Sequence, residues 1–399
     1  MDAFIVDAVR SPIGSLGGAL SAVRADDLAA HVIQHLIARH PNLPASVISD
    51  VYMGCANQAG EDNRNVARMA VLLAGLPVEV PAETVNRLCA SGMAAVVHAA
   101  RCIRSGEGDV LIAGGVEHMT RAPWVISKTS SAFGRDAQMF DSSFGWRFIN
   151  SRMKEMYGVE AMGETAENLA EKYNISRSDQ DAFALRSQQL ASQSVMLHAE
   201  EIVPVVIPQR KGESVTVSKD EFAKPATTLV GLSSLKPAFR SGGTVTAGNA
   251  SGLNDGAAAM LIASQQALAN YGMKAIAKIV CAAVSGVAPT IMGIGPVEAT
   301  RKALHRAGLS LHDIGVIEIN EAFAAQVLSC SRELGIADDD ARLNRHGGAI
   351  ALGHPLGMSG TRIIQTAALE LRRTGERYAL CTMCIGVGQG YAVILENCN

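Results

Sequence analysis

Charge of one sign, aromatic side chains and long apolar runs are all in short supply in this chain. Charged residues make up 18% and aromatics 4%, against 48% hydrophobic residues in a length of 399. That balance excludes a disordered tail, and the length excludes a mini-protein that needs staples to fold. No apolar run reaches the roughly 18 residues that span a bilayer; the richest, Val71 to Val80, is broken by Gly75 and Pro77. Lys plus Arg number 35 and Asp plus Glu 38, a net charge of -3. Neither nucleic acid nor a membrane surface is therefore an expected partner. The 8 cysteines are too sparse for a disulfide framework, and Met1-Asp2-Ala3-Phe4-Ile5-Val6 has neither a basic nor an apolar leader segment. A cytoplasmic protein is expected.

What is present is 38 glycines and short β-branched runs set beside small-residue helical patterns. Ile5-Val6, Val51-Tyr52-Met53, Val110 to Ala113 and Val316 to Ile319 suit strands buried on both faces. Ser91 to Arg104 and Thr361 to Arg373 carry apolar residues at helical spacing, and each pattern starts at a Ser-Gly pair. Ser91-Gly92, a helix, Ser105-Gly106-Glu107 and a strand from Val110 recur as Ser359-Gly360, a helix, Thr374-Gly375-Glu376 and a strand from Ala379. A second echo, at nearly the same displacement, relates Val51 to Cys55 with Val316 to Asn320. The chain reads as two duplicated α/β halves. Between them, about 121 to 241, aromatics cluster and Ser-rich charged helices follow, the texture of an inserted lid or packing subdomain.

Four segments carry candidate chemistry. Cys89 lies in Asn86-Arg87-Leu88-Cys89-Ala90-Ser91-Gly92, just before a helix, where unpaired amides and the helix dipole favour a thiolate. His354 lies in a glycine-rich loop, Gly347 to Gly357, preceding the paired helix, so duplication would bring it to Cys89 as a base. Cys381-Thr382-Met383-Cys384 is a poor redox or zinc motif because it ends a strand and has no partner motif. Gly386-Val387-Gly388-Gln389-Gly390 is not a dinucleotide fingerprint, and no Walker motif occurs. A glycine-flanked Cys384 instead suits a second acid/base thiol with exposed amides beside it. Asn320, after a strand, could hold a water or cap a helix.

Together NRLCASGM, NEAFAAQ, GGAIALGHPLGMSG and CIGVGQG resemble the active-site blocks of the thiolases, in order and spacing, across essentially the whole chain. The resemblance implies an α/β fold with a five-layered αβαβα core of two duplicated halves and an inserted loop domain. The expected division is 1–120 with 242–273 as the N-terminal half, 121–241 as the loop and coenzyme A-binding domain, and 274–399 as the C-terminal half. It implies Cys89 as the nucleophile, His354 as its base and Cys384 as the proton carrier. One oxyanion hole would use His354 and a water on Asn320, the other the amides of Cys89 and Gly386. Coenzyme A would lie along Ser251, Ala247, Phe239, Lys224, Met162 and Phe323. No metal and no permanently bound cofactor are implied: coenzyme A and acetyl-CoA are substrates, and the assembly is a homo-oligomer, a dimer of dimers.

The match is imperfect at the nucleotide end. Ala161 stands where many relatives carry His, Lys224 where an Arg commonly packs on adenine, Gly231 for Ser, and His346 for Asn or Ser. Lys keeps the charge but loses the planar stacking face. GCANQAGEDNRNVARMA, the SAFGR to GWRFIN stretch and CTMCIGVGQG resemble the branch that cleaves 3-oxoadipyl-CoA to succinyl-CoA and acetyl-CoA. A dicarboxylic acyl chain needs a cation, for which Arg147 and Arg121 are candidates. The alternatives are a general 3-ketoacyl-CoA or acetoacetyl-CoA thiolase, differing only in the acyl pocket, and a non-catalytic acyl-CoA-binding member of the fold. A decarboxylating ketoacyl synthase would need His in place of Asn320.

Overall fold

The structure, a computed structural model, describes residues 1–399. Nine strands form one mixed sheet: β1 (Ala3–Arg10), β2 (Asp50–Gly54), β3 (Ala82–Val85), β4 (Val110–His118), β5 (Asn254–Ser264), β6 (Ala277–Gly286), β7 (Ile314–Ile319), β8 (Tyr378–Ile385) and β9 (Gln389–Asn397). Their order is β7-β8-β9-β6-β1-β5-β4-β2-β3, and the two-residue strand Gly14–Ser15 pairs with the start of β5.

That order is a duplication. In the first half β1, β5 and β4 pair antiparallel and β2 adds parallel to β4. In the second half β6, β9 and β8 pair antiparallel and β7 adds parallel to β8. Even β3, parallel to β2, has a counterpart in a single parallel bridge from Ile317 to Leu343. The halves join edge to edge where Phe4 and Ile5 face Lys278 and Ala277. Pairing also refines the repeat: Val51 stands opposite Ile112 and Val316 opposite Ala379, so the strand echo is displaced by two residues from the one read at Val110.

Six helices complete the layers: α1 (Ala25–Ala38), α2 (Val66–Leu73), α3 (Ser91–Ser105), α4 (Gly295–Ala307), α5 (Ala324–Leu334) and α6 (Leu356–Thr374). Strand periodicity divides the faces. Leu111 and Ala113 of β4, with Cys381 and Met383 of β8, face inward onto Met93, Val96 and Ile103 of α3 and Ile363, Ile364 and Leu371 of α6. Ile112 and Val116 face outward onto α1 and α2, while Ile317, Leu380 and Ile394 face α4 and α5. Two helices thus lie between two half-sheets, each backed by its own outer helices, which makes five layers. Both central helices end at a left-handed glycine, Gly106 and Gly375.

One expected boundary moves. α6 starts at Leu356 rather than at the Ser-Gly pair, because Pro355 supplies a pre-set φ of -65° at the N-cap and leaves Ser359-Gly360 inside the first turns. Residues 121–241 contribute no strand to the main sheet; they form two hairpins and the helices Ser151–Tyr157, Met162–Lys172, Arg177–Gln193, Val195–Glu201 and Leu229–Ser233. Their aromatics divide: Trp124, Phe133, Phe144 and Phe148 are exposed, with Phe140 edge-on against Phe148, whereas Phe183 is buried in the core beneath α5. No helix is long and apolar enough to cross a membrane.

Candidate active site

β3 ends at Val85, and the chain turns sharply before α3. Ser91 organises that turn, its Oγ donating to the Leu88 carbonyl (2.7 Å) and accepting from the Arg87 N–H (2.9 Å). Leu88 is held at φ +48°, a left-handed conformation that costs a non-glycine residue about 1–3 kcal/mol. Cys89 follows, half-buried. Its thiol meets its own N–H and that of Gly386, which sits just before the strained Val387 (φ +65°) in the β8–β9 turn. The helix terminus does not win here as the sequence suggests. Burial raises the Cys89 pKa, and the two amides offset this only in part, so Cys89 rests as a thiol and needs a base.

Cys384 is buried near the end of β8; burial, then the neighbouring Cys89 sulfur, push its pKa well up. Cys381 faces the inner core, whereas Cys384 packs with Ala322, Phe323 and Met292. Three residues along a strand span about 10 Å, beyond disulfide reach.

His354 is presented by a tightly pinned loop. Glu321, itself buried, accepts from Ser187 Oγ (2.6 Å), Asn344 Nδ2 (2.8 Å) and the Ile350 N–H (3.1 Å). Gly353 adopts φ +107°, and a Cβ there would lie 2.6 Å from the Asn254 side chain, whose Oδ1 accepts the His354 N–H at 2.9 Å. The ring has Nδ1 2.7 Å from Ser359 Oγ and Nε2 3.4 Å from Asn320 Nδ2. Burial, with the Arg362 charge behind it, lowers the imidazole pKa to about 3. It is therefore neutral at ordinary pH and able to accept a proton. The Asn320 N–H donates to Thr382 (3.0 Å), two residues before Cys384, which ties the imidazole and thiol segments together. Asn320 Oδ1 is buried without a protein donor, so it can accept from water.

Glu117 escaped the sequence reading. It accepts from the N–H groups of Ala56 (3.0 Å), Asn57 (2.9 Å) and Gly357 (2.8 Å), clamping the loop after β2 to the start of α6. Asn254, Asn344, Ser187 and Ser359 were likewise missed, since a polar residue that acts by holding a loop has no spacing signature.

Of the coenzyme A candidates, Met162, Phe323 and Phe239 lie together. Met162 packs against the cluster holding Phe323 and Cys384, its Sδ 3.6 Å from where a Gly386 Cβ would be. Phe239 meets Phe323 edge-on at 6.1 Å. The Ser251 N–H donates to Ala322 (3.0 Å), and Ala250 bridges to Phe323. Ala247 and Lys224 are exposed, the latter with its Nζ 5.3 Å from the Phe222 ring centroid. Arg121 is committed elsewhere: its Nε lies 2.7 Å from Glu61 Oε2 and Nη1 3.1 Å from the Ser21 carbonyl. Arg147 has no carboxylate partner; its Nη1 donates to Ser142 O (3.3 Å), which also accepts from Asn57 beside Glu117.

A thiol facing two amides, a neutral imidazole and a second buried thiol are the equipment of acyl transfer through an enzyme thioester. The chain matches the thiolase N-terminal domain over residues 3–266 and the thiolase C-terminal domain over residues 273–397. It belongs to the thiolase family and is an acyltransferase. It is 60% identical over 397 residues to the 3-oxoadipyl-CoA/3-oxo-5,6-dehydrosuberyl-CoA thiolase of Escherichia coli, covering 99% of both chains. It is equally 60% identical, with the same coverage, to the beta-ketoadipyl-CoA thiolase of Pseudomonas knackmussii. The crystal structure of human mitochondrial 3-ketoacyl-CoA thiolase superposes with a TM-score of 0.92 at 40% identity, over 100% of this chain and 99% of that one.

Proposed function

We propose that this enzyme cleaves 3-oxoadipyl-CoA with coenzyme A to give succinyl-CoA and acetyl-CoA, in aromatic degradation. The observation that carries the chemistry is the gathering of Cys89, Cys384, the Gly386 amide and the His354–Asn320 pair from four separate segments. Identity to relatives named for this substrate supports the acyl chain. His354 Nε2 takes the Cys89 proton, and the thiolate attacks the 3-oxo carbon. The C2–C3 bond breaks, its electron pair becoming the enolate of acetyl-CoA. Cys384 protonates that enolate, and acetyl-CoA leaves. The thiol of a second coenzyme A, losing its proton to the same acid/base groups, displaces succinyl from Cys89 and restores the free thiol.

The amides of Cys89 and Gly386 would hold the oxyanion formed on the acyl carbon. The protonated His354 Nε2 and an Asn320-held water would hold the enolate oxygen. Coenzyme A would run along Met162, Phe323, Phe239, Ala247 and Ser251 to Lys224, with 121–241 serving as its binding domain between the halves 1–120 with 242–273 and 274–399. Because Arg121 is paired with Glu61, the carboxylate role falls to Arg147. The working form would be a cytoplasmic dimer of dimers.

The test is thiolysis of 3-oxoadipyl-CoA beside acetoacetyl-CoA and a medium-chain 3-ketoacyl-CoA, with Cys89→Ala as control. Preference for the dicarboxylate supports the reading. Preference for unsubstituted chains keeps the mechanism and moves the substrate to a general thiolase, and no turnover of any removes the catalytic reading.

A further inference from the structure

We propose that Ser359 is a positioning residue that fixes the tautomer of His354 and so makes Nε2 the basic nitrogen. Ser359 Oγ lies 2.7 Å from His354 Nδ1 and 2.9 Å from the Pro355 carbonyl. A hydroxyl carries one proton, and a carbonyl can only accept. That proton goes to Pro355, the i−4 carbonyl of the first helical turn, leaving Ser359 only lone pairs to offer the ring. His354 Nδ1 must then be the donor. Burial keeps the imidazole neutral, so a proton on Nδ1 leaves Nε2 bare and facing the Asn320 side chain. The Pro355 carbonyl also accepts the N–H groups of Met358 (3.1 Å) and Ser359 (3.0 Å), and it has no proton to give Ser359 whichever way the Asn320 amide is turned.

Ser359 is 1% exposed, so no bulk water competes for either hydrogen bond. A hydroxyl also suits this ring better than the carboxylate that commonly backs a basic histidine. An anion at Nδ1 would stabilise imidazolium and trap the proton taken from Cys89, whereas the hydroxyl orients the ring without adding charge. The charge that acts on the ring is instead that of the buried Arg362, which opposes protonation. The position of Ser359 is set by α6 starting at Leu356, which brings the i+5 hydroxyl back beneath the imidazole.

The inference rests on His354 being the base, and the two can fail separately. The experiment is 15N NMR of the histidine ring nitrogens in the full-length enzyme, with His354 assigned by its loss in His354→Ala, alongside thiolysis kinetics of Ser359→Ala and Ser359→Thr. The wild type should show a protonated, pyrrole-type Nδ1 and a bare, pyridine-type Nε2. Ser359→Ala should mix the tautomers and lower kcat about 10- to 100-fold with little change in the KM for coenzyme A, and Ser359→Thr should recover most of both. A wild-type ring protonated at Nε2 would overturn the assignment. So would a Ser359→Ala enzyme with unchanged ring shifts and kcat, or a loss of kcat that Thr does not restore although its fold and ring shifts are native. Activity retained by His354→Ala would instead remove the base reading, leaving the NMR result on Ser359 to stand or fall by itself.

Discussion

Gly92→Ala should separate the two central helices and, with them, the nucleophile from its base. A Cβ on Gly92 would sit 2.5 Å from the Gly357 carbonyl oxygen, 2.6 Å from Thr361 Oγ1 and 3.1 Å from the Thr361 nitrogen. Ordinary contact begins near 3.4 Å, so α3 and α6 must part by roughly 1 Å. Two of those three atoms are backbone, so turning the Thr361 side chain away would not relieve the contact, and Gly360 approaches the Met93 backbone just as closely. Alanine gains about 0.5–1 kcal/mol over glycine in a helix, while overpacking costs about 1–3 kcal/mol, for a net loss of up to about 2.5 kcal/mol. Cys89 lies two residues before α3 and His354 two before α6, so the displacement reaches both reacting groups. A misplacement of about 1 Å should cost about 100-fold in kcat/KM. The assays are thiolysis, followed by loss of the 3-oxoacyl thioester's enolate absorbance, and thermal melting. Gly286→Ala, where a Cβ meets open space, is the control. A Gly92→Ala enzyme that melts and turns over like the wild type would refute the account of the crossing.

Buried His198 should make the protein acid-sensitive. Burial, then the charge of Arg10, lowers its pKa from 6.5 to about 4, so the folded state resists a proton that the unfolded chain accepts. Its stabilisation is full above pH 6.5 and declines as pH falls toward 4, by about 2 kcal/mol at pH 5 relative to pH 8. Urea unfolding of wild type and His198→Leu at both pH values should show their stability difference shifting by that amount against the wild type at pH 5; a constant difference would exclude it. Arg10 is fully buried, with Nε 2.8 Å from Glu201 and Nη1 2.7 Å from Asp220. Arg10→Met leaves both carboxylates buried without their cation and should cost about 3–5 kcal/mol in the same assay; a loss below about 1 kcal/mol would mean water already serves them. Arg147→Ala should raise the KM for 3-oxoadipyl-CoA about tenfold or more, the worth of one charged hydrogen bond, and leave that for acetoacetyl-CoA unchanged. Equal loss on both substrates would remove the carboxylate role.

Much of the architecture was legible in the residues because it repeats. The continuous apolar run Val110 to Ala113 of a strand buried on both faces, the helical spacing from Ser91 and from Thr361, and the paired Ser-Gly signals are all local patterns that can be counted along the chain. The start of α6 was misplaced because a Ser-Gly pair is as compatible with a helix interior as with its beginning, and Pro355 decided between them.

Residue type and order suffice for the duplicated α/β halves, for the segment inserted within the first of them and for the four blocks that carry Cys89, Asn320, His354 and Cys384. Tertiary structure alone decided whether Cys89 rests as thiol or thiolate, because burial and the Gly386 amide come from residues distant in sequence. It alone paired Arg121 with Glu61 and left Arg147 without a carboxylate, and it brought Glu117 to Ala56, Asn57 and Gly357. Desolvation and ion pairing are set by whatever the fold brings within a few ångströms, and no local pattern in the chain encodes that neighbourhood.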